Sequence, residues 1–240
     1  MTLPHILLVA HGTSGDSTAL DADFASIAEG IATRLGGAEV SVATLAVKGG
    51  LHTALAKIPA SQPVRVMPYF MSNGWFVSDL LTRRIAQSAR PDAELLTPLG
   101  LLPGLAGLAA AAIRAVAPAR LGETTLVIAA HGSPSDPRPA KVVRDLAGDL
   151  HATLGLGAVR CGFVDEAPSL ADALAVDGPA LCLPFFASRA GHVLDDLPEA
   201  LDQSGFAGPV LDPVGLWPDV PALVADAITA QMDGDASGTG

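Results

Sequence analysis

A chain of 240 residues that is half hydrophobic and only 16% charged has enough apolar material for one large domain or for two lobes with cores of their own, which excludes the disordered class. The formal net charge of −11 argues against a general binder of nucleic acid or of anionic membranes, though it leaves room for a local basic pocket. Two cysteines, Cys161 and Cys182, are too few for a disulfide scaffold or a cysteine zinc site, and read as buried thiols in a reducing compartment.

The segment Met1–His5 has no basic start and the apolar run Ile6–Ala10 is too short for a signal peptide, so a cytoplasmic address is expected. "HILLVA" (His5–Ala10) is a continuous apolar run, the signature of a strand buried on both faces of a parallel sheet. "DADFASIAEGIATRLGG" (Asp21–Gly37) has helical spacing and closes on glycine. "VSVATLAV" and "PVRVMPYF" read as a second and a third strand, the latter followed by a loop carrying Trp75. The apolar stretch Leu95–Ala117 is broken by Pro98, Pro103 and several glycines, so it predicts a turn and a buried helix rather than a membrane span. The same grammar then begins again. "TLVIAA" (Thr125–Ala130) is a first strand, "AKVVRDLAGDLHATLGLG" (Ala140–Gly157) a helix, "VRCGFVD" and "PALCLPFF" a second and third strand, and "PVLDPVGL" ends in a fourth. The polar "DGDASGTG" at the C-terminus reads as a disordered tail.

This recurrence extends to sequence. His11-Gly12-Thr13 matches His131-Gly132-Ser133; "VMPYFMSNGWFVSDL" matches "CLPFFASRAGHVLDDL", pairing Gly74 with Gly191; and Pro98, Gly100 and Pro103 match Pro213, Gly215 and Pro218. Two homologous lobes are therefore expected, 1–118 and 119–232, with residues 233–240 as a tail. The predicted class is α/β, each lobe a small parallel sheet flanked by helices.

In such sheets ligands bind beyond the carboxyl ends of the strands. That rim receives His11 in the first lobe, and His131, His192 and the Asp165–Glu166 pair in the second. Imidazole and carboxylate suit a first-row divalent metal, and imidazole can also take a proton near neutrality. The first lobe has Trp75 where the second has His192, and no carboxylate closes its second strand, so the chemistry is expected in the second lobe. His5, His52 and His151 have no motif around them. Asp195 and Asp196 either orient an imidazole or begin a helix, and Asp16 and Asp136 read as turn or N-cap residues.

The segments "AHGSPSD" and "PFFASRAGHVLDDLP", set in a repeated half, resemble the CbiX/SirB-type chelatases, over nearly the whole chain. The resemblance implies a two-lobed chelatase fold with a cleft between the lobes. It also implies insertion of Co²⁺ or Fe²⁺ into sirohydrochlorin or a related tetrapyrrole, with no organic cofactor. The family's two histidines fall on His131 and His192, as metal-holding and catalytic groups. Its carboxylate falls on Asp165 or Glu166, because this stretch is one residue shorter than the family pattern. A polycarboxylate substrate calls for cations in an acidic protein. Arg138, Lys141 and Arg144 follow His131 at near-helical spacing and Arg189 stands beside His192, with Ser133 next to the motif glycine and Arg83 and Arg84 as further candidates in the first lobe. A chain with both lobes is expected to be a monomer or a weak homodimer, without nucleic-acid or membrane partners. The rival reading from another class is a metal or tetrapyrrole carrier that binds without turnover. Histidine phosphatase chemistry wants an arginine before the histidine, where Ala10 and Ala130 stand, and no Gly-rich or Walker nucleotide motif occurs.

Overall fold

The computed structural model describes residues 3–12, 18–116, 120–189 and 192–237; at 19, 192 and 233–237 it describes the backbone alone. The chain folds as two compact units, Met1–Pro103 with Pro218–Gly240, and Gly104–Trp217.

The first unit is built on a four-stranded parallel sheet of β1 (His5–Ala10), β2 (Val40–Thr44), β3 (Val64–Pro68) and the short β4 (Glu94–Leu95), in the order β2-β1-β3-β4. Its central strand is apolar throughout because both faces are covered. Leu7 and Val9 pack in one cluster with Leu51 and Leu55 of α2 (Gly50–Lys57) and Ile85 of α3 (Thr82–Ala86), while Ile6 and Leu8, pointing the other way, are also fully buried. Helix α1 (Thr18–Arg34) sets Phe24 edge-on against Tyr69 at the end of β3, with ring centroids 5.8 Å apart.

The second unit repeats this design. Strands β5 (Thr125–Ala130), β6 (Ala158–Phe163) and β7 (Ala180–Pro184) pair in parallel in the order β6-β5-β7. Val127 and Ala129 of β5 pack against Leu170 and Leu174 of α6 (Leu170–Leu174) and Leu197 and Ala200 of α7 (Leu197–Ser204). Helix α5 (Pro137–Leu154) turns Ala140, Val143, Leu146 and Leu150 inward and is capped by Asp136, whose carboxylate accepts from the Arg138 backbone N–H at 3.0 Å. The expected N-cap at Asp136 is thus observed; Asp16 lies outside the described residues. The expected fourth strand of this half is reduced to a bridge between Cys182 and Val210. Cys182 is fully buried and burial pushes its thiol up to about 12, while Cys161 is half-buried and raised for the same reason against the opposing charge of Arg144.

The compact units do not coincide with the two sequence repeats. Helix α4 (Leu105–Val116), encoded at the end of the first repeat, packs on α5 and belongs to the second unit, and α8 (Val220–Ser237), encoded at the end of the second repeat, packs on α1 and belongs to the first. Each terminal helix buries its apolar stripe (Leu105, Ala109, Ala110 and Ile113 in α4; Val220, Val224, Ala225 and Ile228 in α8) in the other repeat's unit. The division by contact therefore falls after Pro103 and after Trp217. The segment read as a tail from 233 is helical as far as Ser237; no proline interrupts it, and a lone Gly234 costs a helix only about 1 kcal/mol. No described helix is long and apolar enough to cross a membrane.

The repeated Pro-x-Gly motif has a steric cause. The Gly100 N–H donates to Phe70 O at 3.0 Å and the Gly215 N–H to Phe186 O at 2.9 Å, pinning the chain after β3 and after β7. A Cβ at Gly100 would lie 1.9 Å from Met71 O, and one at Gly215 2.2 Å from Ala187 O. Gly215→Ala should therefore destabilise by about 2–3 kcal/mol through backbone overpacking. Gly148→Ala, on the open side of α5 with nothing within 4 Å, should stabilise by about 0.5–1 kcal/mol. Thermal unfolding of the two variants checks both signs.

Candidate metal-handling rim

The strand ladder continues past the last residue of β5. The Val164 N–H donates to Ala130 O at 3.1 Å and the Asp165 N–H to His131 O at 3.0 Å, so the chain beyond β6 keeps register with the chain beyond β5 and places Asp165 beside His131. The two side chains meet: His131 Nδ1 stands 3.2 Å from Asp165 Oδ2 and 3.2 Å from Gly132 O. Both neighbours are acceptors, so they favour the tautomer protonated at Nδ1, which leaves the lone pair on Nε2. The pair is half exposed, 49% for His131 and 44% for Asp165, so it is open to solvent rather than sealed in the core.

Gly132 makes this arrangement possible. Its φ of +71° turns the chain through the left-handed region, and a Cβ there would lie 2.8 Å from Glu166 Oε1 and 3.0 Å from the Cβ of Phe163. Glu166 occupies that space. Its Oε1 accepts from the Ser133 N–H at 3.0 Å, and its Oε2 lies 4.0 Å from Arg144 Nη2, whose guanidinium in turn sits 5.5 Å over the Phe163 ring. The two acids that the sequence left interchangeable thus have different neighbours: Asp165 meets the imidazole, and Glu166 props the turn beneath it.

The remaining candidates fall as follows. Among the cations, Arg144 stands beside Glu166. Arg138 forms a forked pair with Asp136 (Nη2 to Oδ2 2.8 Å), Lys141 reaches Asp145 at 2.6 Å, and Arg189 reaches Asp212 at 2.9 Å. These partners are nearby acids that residue spacing alone did not single out. His192 opens a π-helical turn, His192–Asp196, that leads into α7; its side chain lies outside the described residues. No group of three His, Cys, Asp or Glu side chains able to hold a metal occurs among the described residues.

The first unit has the same backbone with different side chains. The Leu45 N–H donates to Ala10 O at 3.0 Å and the Ala46 N–H to His11 O at 2.8 Å, so Ala46 stands where Asp165 does and Val47 where Glu166 does. Gly12 repeats the left-handed turn at φ +79°, with Thr44 filling the space a Cβ would need. His11 Nδ1 again faces its own glycine carbonyl, at 3.0 Å, but the ring is set edge-on to Phe76 with centroids 4.9 Å apart. Trp75 precedes a second π-helical turn, Phe76–Leu81, the counterpart of the one at His192. Paired π-helical turns at the two rims, a feature frequent at functional sites, have no signature in the residue pattern and were not expected.

These neighbours assign different sensitivities to the two acids. Glu166→Ala should cost about 1–3 kcal/mol of stability, because it strips the acceptor from a tightly turned backbone N–H. Asp165→Ala, at an open ion pair, should cost at most about 1 kcal/mol. Denaturant unfolding of the two variants measures the difference.

Comparison with known proteins identifies the family. The CbiX family profile matches residues 5–116 and again 125–231. The solved structure of CbiX, described as the terminal enzyme for biosynthesis of siroheme in denitrifying bacteria, is 42% identical, with a TM-score of 0.82 over 94% of this chain and 98% of that one. Two SirB structures share the fold at lower identity. SirB from Bacillus subtilis with Fe³⁺ is 15% identical (TM-score 0.75, 99% and 98% coverage), and the sirohydrochlorin chelatase SirB from B. subtilis subspecies spizizenii in complex with cobalt is 14% identical (TM-score 0.70, 95% and 94%). Among curated proteins, none matches. With both repeats matched in full and a relative 42% identical along almost its whole length, the chain belongs to the CbiX family.

Proposed function

We propose that this protein inserts a divalent metal ion, Co²⁺ or Fe²⁺, into sirohydrochlorin or a closely related tetrapyrrole, and that the rim of its second unit does the work. The observation that carries the reading is the His131–Asp165 pair at the open carboxyl end of β5, set in a chain of the CbiX family whose fold is shared with a cobalt-bound sirohydrochlorin chelatase.

The mechanism follows from the groups at the rim. A free macrocycle must lose two pyrrole N–H protons as the metal ion enters. With Nδ1–H directed at Asp165 and Gly132 O, His131 offers Nε2 as a donor to the incoming ion. As the ring nitrogens take the ion from Nε2, that atom accepts one of the two departing protons, Asp165 stabilises the imidazolium across 3.2 Å, and the second proton passes to His192 or to solvent water. His192, which opens the π-helical turn, is the second imidazole of the proposal. Two imidazoles and one carboxylate leave coordination positions open, which suits an ion that must depart; a closed four-ligand site would trap it. Arg144, Arg138, Lys141 and Arg189, with the Ser133 segment, are the groups assigned to the substrate's carboxylates. The acids that hold Lys141 and Arg189, Asp145 and Asp212, are exposed, and exposed pairs of this kind are held by about 1 kcal/mol or less, so a substrate carboxylate can take the place of those acids. A single chain carrying both units works as a monomer or weak homodimer in the cytoplasm.

The test is a panel of Co²⁺, Fe²⁺ and Ni²⁺ with sirohydrochlorin, followed by absorbance. Multiple turnovers are expected with at least one of the first two. His131→Ala should lower the insertion rate by roughly 10²-fold or more, and His192→Ala should do likewise, with unfolding curves unchanged. Damage from His11→Ala alone would move the chemistry to the first unit, and a single stoichiometric event would make the protein a carrier.

A further inference from the structure

The rim of the first unit differs from that of the second in one consistent direction. Where the second has Asp165, Glu166 and His192, the first has Ala46, Val47 and Trp75. Each polar group has an apolar counterpart, while the strand ladder, the left-handed glycine and the π-helical turn are kept. A lobe that had only lost its chemistry would be expected to cover this rim or make it polar. Instead Val47 is 57% exposed, Trp75 48% and Phe76 40%. The rings brace one another: Trp75 lies edge-on to Phe76 at 5.3 Å, Phe76 stacks on Phe70 at 6.2 Å with planes 16° apart, and His11 closes the other side of Phe76. In a chain with only two Trp, one Tyr and seven Phe, three of the ten stand together at a ligand-binding end of a parallel sheet. Two cations lie on or against the chain that leaves β2. The Arg84 guanidinium donates to Leu45 O at 3.3 Å, at the end of β2, and Lys48 follows Val47 on the same turn.

We infer that the Trp75–Phe76–Phe70 cluster of the first unit is a stacking platform for the flat face of the tetrapyrrole, with Arg84 and Lys48 taking carboxylates at its edge. The inference deepens the proposed function and rests on it for the identity of the ligand. Exposed rings held rigidly by their neighbours lose little freedom on binding, and the face of a conjugated macrocycle is the apolar partner they match. Cations at this end of β2, in a protein of net charge −11, fit an anionic ligand edge.

The experiment uses metal-free sirohydrochlorin, so that binding is read without turnover. Trp75 fluorescence in the wild-type protein should be quenched on titration. The other indole, Trp217, is buried with its N–H on Asp212 O, so Trp75→Phe should abolish most of the quenching. In steady-state insertion, Trp75→Ala should raise KM roughly five- to tenfold with kcat within about twofold, and Trp75→Phe should restore KM. Leu3→Ala, an equally exposed apolar residue at the opposite end of β1, should change neither. His131→Ala should bind sirohydrochlorin with wild-type quenching while failing to insert metal. The platform is overturned if Trp75→Ala keeps the wild-type KM, or if quenching is the same in Trp75→Phe; an aromatic rim serving a protein partner would give that result. A wild-type protein that inserts no metal yet shows Trp75-dependent quenching would sink the proposed function and leave the platform standing.

Discussion

The site hangs on a left-handed turn placed one residue after a histidine. At Gly132 the chain leaves β5 with φ of +71°, a conformation that any side chain would strain and that here would also drive a Cβ into Glu166 and Phe163. Because the turn is tight, His131 stays at the very end of the strand and the ladder runs on to Asp165. The imidazole then has acceptors on one side, at Asp165 and Gly132 O, and its other nitrogen is left as a donor of electrons. Glu166, accepting from the Ser133 N–H, ties the far side of the turn to the chain beyond β6. A carboxylate used in this way fixes the geometry of the turn.

The two repeats show what a common backbone constrains and what it leaves free. Gly100 and Gly215 recur where a Cβ would collide with backbone, Gly12 and Gly132 recur where the chain turns at positive φ, and the π-helical turn is present in both repeats. The side chains that project from this frame are not so bound, and they have diverged into an acidic, imidazole-bearing rim and an aromatic one. Exchange of the terminal helices α4 and α8 between the units makes neither repeat a self-sufficient core, since each lobe's helical cover is completed by the other repeat.

Much of this was legible in the residues. Continuous apolar runs marked β1 and β5, the duplicated His-Gly marked the rim, and fold logic brought Asp165 next to His131 although 34 positions separate them along the chain. What escaped is physical in origin. Strand pairing alone does not say which of two adjacent carboxylates faces the imidazole; that depends on which one fills the space above Gly132. Helical spacing grouped Arg138, Lys141 and Arg144 on one helix, but spacing does not show that Asp136 and Asp145 claim the first two. The helix exchange was invisible because an amphipathic helix encodes that it must bury a face, not which repeat receives it. The aromatic rim was visible only as Trp75 in the place of a histidine, and Val47 and Phe76 joined it once the ladder aligned Ala46 with Asp165.

The central claim is that His131, held at Nδ1 by Asp165, presents Nε2 to the incoming metal ion. Two-dimensional ¹⁵N–¹H NMR of the imidazoles, with Zn²⁺ titrated as a diamagnetic divalent ion, reads this atom directly among only six histidines. The account requires the Nδ1–H tautomer at His131 in the free protein and a shift of its Nε2 resonance at the lowest metal concentrations, with His11 unmoved. An Nε2–H tautomer at His131, or first binding at His11, would contradict it.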